Sequence, residues 1–270
     1  MKPQVIRAGR PLTLELQEVW QYRDLLYAFI IVSFKVRYKQ ATLGILWAIL
    51  QPLSAVAIFS FILGKLVKVP SDNLPYPLFT FSGMIVWNYF ATALTQASQS
   101  LVHYSHLITK VYFPRIILPL AKAAVGGVDF LISFIALSGL ILWYGFPISW
   151  RIIFFPFFSI VTLFTALSLG LWLSSINYLY RDVQYVLPFF IQLGLFLTPI
   201  VYPTSILPEA WQWLYALNPM VGIVEGFRWC LFGQGKIPAL FWASLLMVSV
   251  VFTGGLFYFK KVERLLNDAI

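Results

Sequence analysis

The feature that most constrains this chain is an abrupt change of character at Gln40. Lys35, Arg37 and Lys39 stand just before it, and residues 40–64 contain no Asp, Glu, Lys or Arg. An α-helix rises 1.5 Å per residue, so about 20 apolar residues cross the roughly 30 Å hydrocarbon core of a bilayer. The uncharged run is long enough to do so. The three cations form a collar at one interface, and because cations concentrate on the cytoplasmic side, the collar also marks the side.

Composition extends this grammar to the whole chain. Of 270 residues, 60% are hydrophobic and 11% charged, with a mean hydropathy of +0.82. So few charges cannot cover the apolar surface of a soluble domain of this size, so an all-α integral membrane protein that crosses several times is expected. The net charge of +9 is accounted for by cations at the ends of spans facing anionic headgroups, which argues against a nucleic-acid partner. Cys230 is the only cysteine, which excludes an intrachain disulfide and a cysteine-based metal site. Residues 1–18 are polar and the first apolar run begins near Leu25, which does not fit a cleavable signal peptide.

Three regions are expected: a cytoplasmic N-terminal segment, 1–24; a six-span region, 25–259; and a cytoplasmic tail, 260–270. Residues 25–34 form an uncharged run too short to span. With Trp20, Tyr22, Tyr27 and Tyr38 around it, this run reads as an amphipathic helix in the interface, or else as the buried start of a first helix bent at the collar. The spans are placed at about 41–64, 78–99, 120–144, 152–178, 183–202 and 237–259. The Pro-rich stretch 70–77 is a loop. Before the last span, two apolar pieces, 209–217 and 219–232, are separated by Asn218-Pro219. Each is too short to cross and too apolar for water, so both read as re-entrant half-helices on the outer side. This assignment puts fourteen of the 19 Lys and Arg inside, leaving Lys65, Lys68, Arg151, Arg228 and Lys236 outside. Both termini are therefore expected in the cytoplasm.

The residues that could carry chemistry are few. Nothing matches the phosphate-binding pattern G-x-x-x-x-G-K-[ST], so no nucleotide site is expected in this chain. His103 and His106 lack a neighbouring carboxylate or cysteine, and read as a solvated helix face rather than metal ligands. Asp129 lies inside the third span beside Gly126 and Gly127. Lys122, seven residues earlier on the same face, is about 10 Å away by helical rise. Asp129 is then a carboxylate on a hydrated path or, preferably, a helix-to-helix hydrogen bond at a close-packed glycine pair. Glu225 and Arg228, at i and i+3, read as a local ion pair.

Polar stripes say more. Gln40, Gly44, Trp47, Gln51 and Ser54 share one face of the first span, and Asn88, Thr92, Gln96, Gln99 and His103 share one face of the second. Such stripes serve either interhelical hydrogen bonding or the wall of a hydrated path. The aromatic content of 18% favours a path, because rings with polar edges suit the apolar faces and hydroxyl rims of sugars.

Taken together, Arg37-Tyr38, Leu43-Gly44, Trp47, Gln51-Pro52, Arg181-Asp182 and the Asn218-Pro219, Glu225, Arg228 tract resemble the membrane subunit of type-2 ABC exporters of lipid-linked polysaccharides: the O-antigen, capsule and teichoic acid group. The resemblance covers nearly the whole chain, apart from an N-terminal head before Trp20 that is long for the group. It implies a homodimer in the bacterial cytoplasmic membrane, two cytosolic ABC ATPase subunits that bind the ATP and Mg, and membrane lipids around it. It also implies an interface helix at 20–34, a coupling helix at 103–115 and outer gating half-helices at 209–232. The coupling residues are then His103, His106, Lys110 and Arg115. Path residues are Trp47, Gln51, Asn88, Thr92 and Gln96, and those of the outer gate are Trp211, Trp213, Asn218, Pro219, Glu225 and Arg228. Two rivals remain: a type-2 exporter of a small drug or lipid, and a membrane-embedded enzyme that modifies glycans.

Overall fold

The computed structural model describes residues 16–39, 46–208, 211, 214, 215, 217–233 and 239–268. The N-terminal head before Leu16, Gln40 and Gly44 of the first stripe, Leu43 of the quoted motif, Trp213 and Lys236 lie outside the described residues.

The described elements are helical. Two helices open the chain, α1 (Leu16–Gln21) and α2 (Arg23–Tyr38). Four long ones follow: α3 (Trp47–Phe59), which continues as a π-helical turn (Ser60–Leu66); α4 (Tyr76–His103); α6 (Ile117–Trp143); and α7 (Phe155–Leu179). Between α4 and α6 sits the short α5 (Ser105–Ile108). The chain ends with α8 (Val183–Leu197), α9 (Pro219–Phe232) and α10 (Ala239–Asp268).

Among the described residues, four stretches are both long and apolar enough to cross a membrane: Trp47–Leu66, Ile117–Trp143, Trp150–Leu179 and Phe241–Arg264. Helix α4 has the length but carries the polar stripe, and α8 is apolar but has only 15 residues. Both run between the same two ends of the bundle as their neighbours. At one end, a cluster of Phe29, Leu101, Ile108, Ile117 and Phe259 gathers α2, α5, the last turn of α4, the first turn of α6 and the C-terminal half of α10. At the other lie the 70–75 loop and α9.

Helix α4 is the axis of the bundle, packed against α3, α6, α7 and α9. Its approach to α7 depends on small residues, since a Cβ on Gly170 would meet that of Ala97 at 2.7 Å. Lipid offers no hydrophobic drive between helices, so this close backbone approach supplies much of the attraction. The buried hydroxyls of Ser98, Ser100, Thr162, Thr165 and Ser168 bond back to carbonyls of their own helices. They add no unmet polar groups to the interior.

Several boundaries differ from those expected, each for a local reason. The fifth span ends at Leu197 rather than near 202, because Thr198 precedes Pro199 and takes extended backbone angles (φ −109°, ψ 141°). The helix of the last span does not stop at 259; α10 runs on through Lys260, Lys261 and Arg264 to Asp268. The expected interface helix extends past 34 and takes in Lys35 and Arg37 of the collar, ending at Tyr38 with Lys39 as its C-cap. Instead of one helix over 103–115 there is a four-residue turn, then a break before Pro114.

Candidate functional site

The two polar stripes meet. Trp47 and Gln51 on α3, Asn88, Thr92 and Gln96 on α4, and Asp129 and Ser133 on α6 line one cavity of about 490 Å³. Helical geometry explains the convergence, because residues spaced by three and four share a face and α3, α4 and α6 are mutual neighbours. Thr92 packs against Gly126, where an added Cβ would lie 3.3 Å from the threonine methyl. The glycine thus lets α6 close one side of the cavity. Tyr89 and Phe130 form part of the wall, stacked on each other with centroids 4.7 Å apart, and Phe130 stacks in turn on Phe155 at 5.4 Å.

The mouth on the α2 side carries a charge pair. Arg37 forms an ion pair with Asp129, and the Tyr38 hydroxyl donates to the same carboxylate. Both α2 residues also line the cavity. Arg37 is therefore the collar cation that lines the cavity, with its side chain still 35% exposed. Asp129 makes the expected helix-to-helix contact while also facing the cavity, so the two readings of it describe one residue. Lys122 is engaged elsewhere, its ammonium 5.3 Å from the Tyr104 ring centroid.

The α3 wall has a defect that α6 repairs. Pro52 lies inside the helix and has no N–H for the carbonyl of Ala48. Ser133 of α6 donates to that carbonyl at 2.9 Å. The freed group is satisfied without water, as the bilayer interior requires.

At the far end, Asn218 and Arg228 hold α9 in place. The Asn218 side chain caps α9 by accepting from the Met220 N–H at 3.0 Å, and its amide donates to Thr198 at 3.0 Å and to the Leu197 carbonyl at 3.3 Å. Arg228 reaches the Pro199 carbonyl at 2.7 Å and that of Ile200 at 2.8 Å. It also donates to the Phe79 carbonyl at 3.3 Å and lies 3.6 Å from the Phe79 ring centroid. Gly83 makes the room, since a Cβ there would come within 2.8 Å of the guanidinium. The pair with Glu225 exists at 3.4 Å, but Arg228 is only 5% exposed. Beyond the local ion pair, it is a buried staple for the non-helical stretch after α8. Helix α9 belongs to the core through Met220, Ile223, Val224 and Phe227, and Asn218 caps its start. Trp211 is exposed.

Among the coupling candidates, His103 at the end of α4, His106 on α5 and Lys110 just after it are exposed. Arg115 is buried at 6%, and its backbone N–H donates to Glu263 of α10 at 3.0 Å. The nearby Tyr112 hydroxyl donates to Glu18 of α1 at 3.3 Å. The loop after α5 is thus tied to both ends of the chain. Among the described residues, no group of three or more His, Cys, Asp or Glu could hold a metal ion.

A multi-pass helical membrane protein with a polar cavity among its first three spans and a stapled half-helix at one end belongs to the class of membrane permeases. The profile of the ABC-2 type transporter family matches residues 24–232, and the chain belongs to that family. An O-antigen export system permease protein of Myxococcus xanthus is 30% identical over 226 residues, covering 83% of this chain and 85% of the relative. One from Klebsiella pneumoniae is 28% identical over 245 residues, 89% of this chain and 92% of the relative. A polysialic acid transport protein of Escherichia coli is 24% identical over 254 residues, 89% and 95%. These relatives are named as transport components, and this chain is a permease subunit of the same family.

Proposed function

We propose that the chain exports a lipid-linked, O-antigen-like polysaccharide across the bacterial cytoplasmic membrane. Two copies form the path, both termini face the cytoplasm, and two separate cytosolic subunits bind the ATP and Mg that drive it. The observation that carries this reading is the polar cavity formed by Trp47, Gln51, Asn88, Thr92 and Gln96. A hydrated polymer needs a polar wall, and exposed aromatic faces such as that of Trp47, 56% exposed, let sugars stack without fixing their register. The named roles of the relatives in O-antigen and polysialic acid transport support the substrate class.

The arrangement also supports the second copy. The α3 stretch is the least covered of the four long apolar ones, 11% buried against 28–39% for the others. A polar cavity beside so bare a helix would face hydrocarbon, and unmet polar groups there are costly. A second copy against α3 closes the wall.

ATP-driven motion would enter at α5, which joins α4 to α6. Those two helices carry most of the cavity, so a push on the exposed His106–Lys110 turn would reach both walls directly. Removing this chain from cells that synthesise the polymer should abolish surface glycan and leave the lipid-linked precursor inside, and from unaltered cells an ATPase subunit should co-purify with the chain. Unchanged surface glycan after removal would contradict the assignment.

A further inference from the structure

The polar cavity is electrically balanced. Among the described residues that line it, Arg37 is the one cation and Asp129 the one anion, and the two are paired. Resting on the export reading above, we infer that the glycan this chain carries has no ionised group in its repeat unit, and that Asp129 sets this selection by neutralising Arg37.

The balance extends along the spans. Residues 40–64 and 74–109 contain no Asp, Glu, Lys or Arg, so α3 up to Gly64 and α4 up to Val102 bring no charge to the path. Helix α6 holds only Lys122 and Asp129 as charged residues. The Lys122 ammonium lies over the Tyr104 ring, and neither of these two residues lines the cavity. A second copy contributes the same residues, so the sum over two cavities is again zero. An acidic polymer moving through a bilayer needs cations in place of its hydration, which is why anion pores are lined by Arg and Lys. Here the cation is already taken. If Arg37 turned toward an acidic sugar, the Asp129 carboxylate, 20% exposed, would be left unpaired in the same space and would repel that sugar.

The rest of the wall suits hydroxyls. The side chains of Gln51, Asn88, Thr92 and Gln96 make no hydrogen bond among the described residues. Tyr89 is only 7% exposed, and its hydroxyl also lacks a partner among them. Amides and hydroxyls offer donors and acceptors together, as sugar hydroxyls do, and a buried polar group gains most from meeting a partner that enters. The anchor of the glycan crosses once per chain, whereas its repeat unit crosses many times. The wall is therefore matched to the repeat.

The first test is chemical. Surface polymer is purified from cells with and without this chain, released from its anchor and passed over an anion exchanger at neutral pH. The polymer that disappears with the chain should run through unretained. A retained polymer, with uronic acid, sialic acid or phosphate in every repeat, would overturn the inference and leave the export reading standing. Surface glycan unchanged by removal would overturn both. The second test isolates Asp129, in cells that build an uncharged polymer or a uronic acid polymer on the same anchor. The unaltered chain should export the acidic polymer at least about ten-fold less than the neutral one. Asp129→Asn, which leaves Arg37 free, should lower export of the neutral polymer and raise that of the acidic one. Equal export of both polymers by the unaltered chain would overturn the inference, as would a variant that lowers both alike, the result expected of a merely structural carboxylate.

Discussion

Ser133 of α6 donates a hydrogen bond of 2.9 Å to the carbonyl of Ala48, the acceptor that Pro52 leaves without a helical donor. The proline weakens α3, and its neighbour supplies the missing bond across the cavity wall. Ser133→Ala should lower stability by about 1 kcal/mol, the usual net value of a hydrogen bond. In a Pro52→Ala background the helix regains its own donor, and the same substitution should then have little effect. Thermal unfolding of the four proteins in detergent measures this coupling; an equal loss in both backgrounds would show that the bond is incidental.

The Arg37–Asp129 pair should behave as a unit. Removing either partner leaves a partly buried charge unpaired, at about 1–3 kcal/mol for a pair between the exposed and buried extremes. Asp129→Asn and Arg37→Gln should each reduce export, and the double variant should recover part of the loss. Surface glycan measured for all three is the check, and a double variant worse than the sum of the singles would rule out direct coupling.

Arg228 makes a stronger demand. Its partners are backbone carbonyls of Phe79, Pro199 and Ile200, which no other side chain replaces. Arg228→Met should cost about 3 kcal/mol or more and reduce the amount of folded protein in the membrane. Arg228→Lys should not rescue it, because a point cation cannot serve several acceptors in the fork geometry of a guanidinium. Gly83→Ala, which intrudes on the same site, should give a milder form of the defect. Fluorescence size-exclusion profiles of tagged variants would decide.

Which parts of this were legible in the sequence follows from how each contact is encoded. The cavity residues repeat at helical spacing within α3 and α4, so a stripe betrays them before any fold is known. Arg37 and Asp129 were each visible as oddities, one in a collar and one in an apolar span. Their pairing was not, since it depends on how α2 lies against α6. Arg228 was misleading, because a glutamate three residues away imitates a surface pair while the decisive partners are main-chain carbonyls, which every residue has. The early end of α8 did leave a sign in Thr198-Pro199, but the apolar run continuing through Ile200 and Val201 outweighed it. Arg115 sits in a basic segment that suggests exposure, and only the approach of α10 buries it.

The coupling turn can now be probed with less ambiguity. Reversing Arg115 would place a new carboxylate beside Glu263, so its effect would mix folding with coupling. His106→Glu with Lys110→Glu changes only exposed positions. That variant should insert normally and bind its ATPase subunit more weakly, with surface glycan falling about ten-fold if roughly 1.4 kcal/mol of contact is lost. Pull-down of the ATPase subunit from solubilised membranes reads this out; normal recovery with normal export would place the dock elsewhere.

Orientation is open to direct labelling. In a Cys230→Ser background, Ser71→Cys should react with an impermeant thiol reagent added to intact cells, and Lys236→Cys likewise. Ser105→Cys and Asn267→Cys should react only after the membrane is opened. External labelling of Ser105→Cys would invert the assigned sidedness.

The most direct measurement of the central claim is export after the cavity has been filled. Gln51→Trp and Gln96→Trp place bulk from α3 and from α4 into the same space, while Ile135→Trp adds the same ring to the exposed face of α6. With protein levels matched, surface glycan should fall at least about ten-fold in both cavity variants, corresponding to about 1.4 kcal/mol of added barrier, and stay normal for Ile135→Trp. Full export through both filled cavities would contradict the account and show that the polymer crosses by another route.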